Sequence, residues 1–90
     1  METRIALIGI IVTSRDSVEK INDILHRFSP GIIGRMGLPH KERGLNIISV
    51  ALDAPENEIS ALAGKLGMLD GVTTKTIFGQ KDLPKGNSLK

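Results

Sequence analysis

The chain has no cysteine, no tryptophan and no tyrosine, and its only aromatic residues are Phe28 and Phe78. Each absence removes a class of protein. Without cysteine there is no disulfide scaffold, no thiolate metal site, and no cysteine nucleophile or redox pair, a pattern that fits a cytoplasmic protein. Without exposed aromatic rings there is little on which to stack unpaired bases. Charge of one sign is also lacking. Met1 to Phe78 carries nine Lys/Arg against nine Asp/Glu, and the net charge of +2 comes from Lys81, Lys85 and Lys90 set against Asp82. The body of the chain therefore has no overall attraction for phosphate backbones. The longest apolar run, Ile5 to Val12, is far below the roughly 20 residues of a membrane span. It is short for a signal-peptide core, and no small-residue cleavage pattern follows it. It reads as a buried strand.

What is present is a clear succession of elements. Ile5 to Val12 is apolar at both parities, as in a central strand covered on both faces. Thr13-Ser-Arg-Asp16 is a loop, with Asp16 three residues before Glu19 at capping-box spacing and Ser14 as an alternative cap. Val18, Ile21, Ile24, Leu25 and Phe28 recur with helical period until Ser29-Pro30-Gly31 stops the helix. Ile32 to Leu38 is a weaker strand punctuated by glycine. Pro39 to Gly44 is turn-rich, and Leu45 to Leu52 is a second strong strand, so the pair reads as a hairpin. Asp53, three before Glu56, and Pro55 open a second helix with Ile59, Leu62, Ala63 and Leu66 as its stripe and Gly67 as its stop. Asp70-Gly71 turns into a threonine-rich last strand, Val72 to Phe78.

The order β-α-β-β-α-β is the ferredoxin-like arrangement of the α+β class, a four-stranded antiparallel sheet with two helices on one face. It places the domain at residues 1–78 and leaves 79–90 as a flexible tail without apolar periodicity. In this fold the first and third strands are central, and they are the two most apolar. Helices cover one sheet face only, yet both parities of the first strand are apolar. The uncovered face marks an interaction surface, with self-association as the simplest cover. Leu7, Ile8 and Ile10 on the first strand, with Ile48 and Val50 on the third, are the interface candidates.

Reactive constellations are sparse. His26 and His40 are the only histidines, too few and too scattered for a transition-metal set, and no metal or other cofactor is expected. Ser14, Ser17, Ser29, Ser49 and Ser60 lie in no nucleophile elbow. Asp53, Glu56 and Glu58 cluster at a helix start, where the helix dipole accounts for them. No phosphate-loop or dinucleotide fingerprint occurs. Gly64, inside a helix, suggests close approach of another element. Gly34 and Gly37 bracket Arg35 and Met36 on an edge strand, where a bulge would aim Arg35 at a ligand or partner. Nothing here points to an enzyme.

Three stretches carry a resemblance. Gly34-Arg-Met-Gly-Leu-Pro39, Ile47-Ile-Ser-Val50 with Asp53-Ala-Pro55, and Ala61-Leu-Ala-Gly-Lys-Leu-Gly67 with Gly71-Val72 together resemble the iron-only hydrogenase system regulators, over about residues 3 to 78. The resemblance implies an ACT-like variant of the ferredoxin-like fold, similar to the effector domain of nickel-responsive regulators. It implies an oligomeric, ligand-sensing regulatory module, a transcription regulator associated with the hydrogenase system. The alternative is an assembly or scaffolding protein in hydrogenase maturation with no small ligand. Two departures stand out. Thr13-Ser-Arg-Asp-Ser-Val18 has no glycine where amino-acid-binding ACT domains turn from strand to helix, and the histidine and cysteine set of nickel sensors is missing. No segment long enough for a helix-turn-helix unit flanks the domain, so specific DNA binding by the isolated chain is not expected. The expected partners are further copies of the chain, as dimer or tetramer, and a small-molecule effector or a protein. Thr13, Ser14 and Arg15, with Arg35 and Met36, are the candidate ligand contacts.

Overall fold

The computed structural model describes residues 2–80. In chain order it contains β1 (Arg4–Val12), α1 (Ser17–Arg27), β2 (Ile32–His40), β3 (Leu45–Ala54), α2 (Glu56–Gly67) and β4 (Val72–Phe78), with short 3-10 turns at Ser29–Gly31 and Lys41–Arg43. The strands form one antiparallel sheet in the order β2-β3-β1-β4. This is the ferredoxin-like α+β architecture. The two strands richest in aliphatic residues sit in the middle, where both of their edges are paired. No helix among the described residues is long and apolar enough to cross a membrane.

The pleat decides where the core lies, because successive side chains on a strand point to opposite faces. Ala6, Ile8, Ile10 and Val12 of β1 and Ile48, Val50, Leu52 and Ala54 of β3 are buried. They pack with Ile21 and Leu25 of α1 and Ile59, Leu62 and Leu66 of α2. Four of the interface residues expected from the sequence, Ile8, Ile10, Ile48 and Val50, are thereby corrected to core. They have the parity that faces the helices, and Ile8 and Val50 retain no exposed surface. Leu7 has the other parity and lies on the open face, 41% exposed.

Element ends depart from expectation for local reasons. Asp16 makes no side-chain cap bond. The first amides of α1 are taken instead by main-chain carbonyls, Ser17 N to Ser14 O and Val18 N to Arg15 O, both 3.2 Å. Asp53 is not a helix cap either, since β3 continues through it to Ala54, which pairs with Arg4 and is buried. Pro55 then caps α2. Strand β2 runs on through Pro39 to His40. An edge strand tolerates proline because one side of its backbone has no partner strand.

A Cβ placed on Gly64 would meet no atom within 4 Å, so no element makes the close approach expected of it. At the far end, Gly79 N still donates to Ile5 O at 2.8 Å, so pairing reaches one residue past β4 into the expected tail; that tail otherwise lies, from residue 81 on, outside the described residues. Arg4 clamps this end of the sheet. Its guanidinium bonds Glu56 at 3.1 Å and the Gly79 carbonyl at 2.8 Å, and it lies 4.6 Å from the centre of the Phe78 ring.

The parity assignment predicts two different outcomes for neighbouring residues. Ile8→Ala should cost about 2–5 kcal/mol, the range for truncating a buried aliphatic side chain. Leu7→Ala should cost about 1 kcal/mol or less in the dilute protein. Urea denaturation of both variants at the same low concentration checks this.

Candidate functional site

Two surfaces stand out, on different parts of the sheet. The first is a cleft of about 460 Å³ at the end where β1 leaves the sheet. Its walls come from two loops. Val12, Thr13, Ser14 and Arg15 lead from β1 toward α1; Pro39, His40, Lys41, Gly44, Leu45 and Asn46 belong to the β2–β3 hairpin. Register brings them together, because Val12 pairs with Asn46 and Pro39 pairs with Asn46 from the other side. Arg15 and Lys41 are exposed cations and His40 is a third protonatable group. Among the described residues none of the three makes an ion pair or a side-chain hydrogen bond, and no carboxylate lines the cleft.

The β1–α1 loop is held in place from below. Thr13 donates to the Gly71 carbonyl twice, through its amide at 2.8 Å and its hydroxyl at 3.2 Å. Ser17, a buried polar residue beside the core, donates its hydroxyl to Asp70 O at 2.6 Å. Gly71 has φ +68°, and a Cβ there would stand 2.8 Å from Ser14 Cβ and 2.9 Å from Thr13 Oγ1. A residue other than glycine would therefore be strained in backbone and would push the cleft wall outward.

The sequence-derived ligand contacts do not form one site. Thr13, Ser14 and Arg15 line the cleft, but Arg35 and Met36 do not. Arg35 has the parity of Val50, faces the helices, and donates to Asn22 Oδ1 of α1 at 2.8 Å. Met36 pairs with Ser49 on the opposite face. The bulge lies between Ile32 and Gly34, ahead of Arg35, and it puts Arg35 on α1 and not on the cleft. Conversely, His40, Lys41 and Asn46 join the cleft although residue type alone did not single them out together. The signal was topological: in this fold the β2–β3 turn and the β1–α1 loop lie at the same end of the sheet. No three of His, Cys, Asp and Glu come together among the described residues.

The second surface is the open face of the sheet. Three rows cross it. Leu38, Ile47, Ile11 and Thr73 form one; Met36, Ser49, Gly9 and Lys75 form the next; Gly34, Ala51, Leu7 and Ile77 form the third. Ile5 follows beyond. Ile5, Leu7, Ile11, Ile47, Leu38, Met36 and Ile77 are between 40% and 66% exposed. The small residues Gly9 and Ser49 leave the middle row low, with hollows of about 240 and 250 Å³ to either side.

Fold and surfaces together define a small ferredoxin-like α+β domain with an apolar sheet face and a cationic cleft. Residues 4–76 match the TM1266-like family, described as "Iron-only hydrogenase system regulator, putative", and the chain belongs to that family. Among solved structures it is similar to the uncharacterized protein TM1266 from Thermotoga maritima. The two share 35% sequence identity at a TM-score of 0.84, over 88% of this chain and 100% of that one. No curated protein matches.

The latch under the cleft is open to test. Gly71→Ala and Gly44→Ala both place alanine at positive φ, at +68° and +65°. Each should lose about 1–2 kcal/mol from the backbone alone. Gly44 has open space around it, whereas Gly71 abuts Ser14 and Thr13. Gly71→Ala should therefore cost about 1–3 kcal/mol more than Gly44→Ala, an overpacking loss measurable by urea denaturation.

Proposed function

We propose that the chain is a non-enzymatic sensor within the iron-only hydrogenase system, and that its effector is a small organic anion held in the cleft. One observation carries the reading. Arg15 from one loop and His40 and Lys41 from another line a single hollow whose walls, among the described residues, include no carboxylate. Opposite charge is the missing partner, and guanidinium and ammonium groups together suit a carboxylate or phosphate. The volume of about 460 Å³ lies within the range of small-molecule sites. Val12, Pro39 and Leu45 add apolar wall, which favours an anion with a carbon body over a bare inorganic ion. Ser14 and Asn46 supply neutral hydrogen-bonding groups.

The arrangement favours binding over catalysis. Among the described residues no hydrogen bond joins Ser14 to His40, and no acid on the wall orients the imidazole. The family description supplies the system in which such a sensor acts.

A thermal-shift titration with benzoate, phenyl phosphate, acetate and inorganic phosphate tests the proposal, since a ligand of the folded state raises Tm by mass action. Benzoate or phenyl phosphate should stabilise the protein more than acetate or inorganic phosphate. Arg15→Gln combined with Lys41→Gln should raise Kd by roughly 10-fold to 100-fold, the loss of a charge-assisted hydrogen bond. A shift of equal size in that double variant, or no shift with any of the four anions, overturns the reading and leaves the assembly role as its successor.

A further inference from the structure

We infer that the open sheet face is the docking surface for a second copy of this chain, packed sheet to sheet about a two-fold axis, with Leu7 of each copy seated over Gly9 of the other. The inference is independent of the cleft, which lies at the strand ends and not on this face.

Area is the first argument. Four strands span about 19 Å, and seven paired residues extend about 23 Å along them. Two such faces bring together about 900 Å² of ground in projection, before side-chain relief is added. A stable dimer buries about 1,200–2,000 Å² of accessible surface, which a face with ridges of isoleucine, leucine and methionine approaches and a smaller patch would not. The ridges are apolar; Asp53, beside Ile5 on β3, marks the charged end of the face, and within the three rows the described charge is Lys75. That residue lies on edge strand β4, where its ammonium reaches solvent past the rim.

Shape selects a second copy over a different partner. An isologous interface must be self-complementary. Place the two-fold axis across the strands, between the Gly9 row and the Leu7 row. Each row then meets the other row of its partner, strand over like strand. Leu7 faces Gly9 on β1, and Met36 faces Gly34 on β2. Both pairs set a large side chain over a residue with none. On β3, Ala51 faces Ser49, small over small in the middle of the sheet. Ile11 faces Ile5 on β1 beyond the trough, and on β3 Ile47 faces Asp53, where the apolar contact ends. Facing sheets in sandwiches interdigitate in this way at about 10 Å separation. Gly9 is the key position, because a Cβ placed there would meet only the Lys75 carbonyl oxygen, at 3.9 Å. The subunit does not need glycine at this site, but the proposed partner does.

Sedimentation equilibrium on the full chain at 1–200 µM (a range on the order of typical Kd values for modest interfaces), with circular dichroism to verify folding, tests the inference. The wild type should sediment as a dimer. Gly9→Leu should keep its circular dichroism spectrum and raise the dimer Kd at least about tenfold, a loss of about 1.4 kcal/mol. Leu7→Lys should give a folded monomer; if it fails to fold, Ile77→Lys, at an edge-strand position 66% exposed, takes its place and should do the same. A wild type that stays monomeric throughout, or a dimer whose Kd is unchanged in Gly9→Leu and in the folded lysine variant, overturns the inference. In the second case the copies meet elsewhere, for instance along the β2 edge. Because anion binding is read separately, by thermal shift, failure here leaves the cleft reading intact.

Discussion

Strand β1 is apolar on both faces in a fold whose helices cover only one, and every other feature is arranged around that imbalance. Its even-numbered residues meet α1 and α2, and its odd-numbered residues meet whatever lies on the other side. A shift of pairing by one residue would exchange the two sets. The even set is the one that makes a dry core with Val50, Ile21, Ile59 and Leu62. A domain of this size buries only about 60% of its unfolded surface, so few of those contacts are dispensable. The helices are held to β1 by this packing, and the loops at its end are held by the turn beneath them.

That turn explains how a loop without glycine of its own stays ordered. Thr13 to Asp16 contains no glycine, and Asp16 makes no cap bond. The required close approach is met by Gly71 on the neighbouring segment, which offers its carbonyl twice to Thr13. Ser17 adds its bond to Asp70 one residue earlier in that turn. The order of the β1–α1 loop is thus borrowed from the α2–β4 turn, 58 residues away in sequence.

Periodicity made the elements legible, because it is a local property: β4 runs from Val72 to Phe78 as expected, and α2 ends at Gly67 as expected. Which parity of β1 faces the helices was not local. Ile8 and Leu7 are equally apolar, and only the packing of Ile21 and Ile59 onto one side tells them apart. The five ligand contacts were legible for a similar reason only in part. Thr13, Ser14 and Arg15 are consecutive and stay together, whereas Arg35 and Met36, also consecutive, are sent to opposite faces by the same pleat. Asn22, the residue that engages Arg35, lies on a helix whose rotation over the sheet no strand pattern specifies. His40, Lys41 and Asn46 needed the hairpin's direction, which the strand order contains but residue types do not.

The two proposed surfaces meet at one backbone pair. Val12 and Asn46 line the cleft, and Ile11 and Ile47, one residue along each strand, stand on the open face. Alternation makes these neighbours point in opposite directions while sharing a peptide unit. A ligand that shifts the end of β1 or β3 therefore moves the base of the apolar ridge that would face a second copy. Coupling between such sites is reciprocal: any factor by which an anion changes dimer affinity is the factor by which dimerisation changes anion affinity. Gly71 holds the loop on one side of the shared pair through its two bonds from Thr13, while β3 pairs with the other. The small sheet thus places the proposed anion cleft and the proposed docking face within one residue of each other.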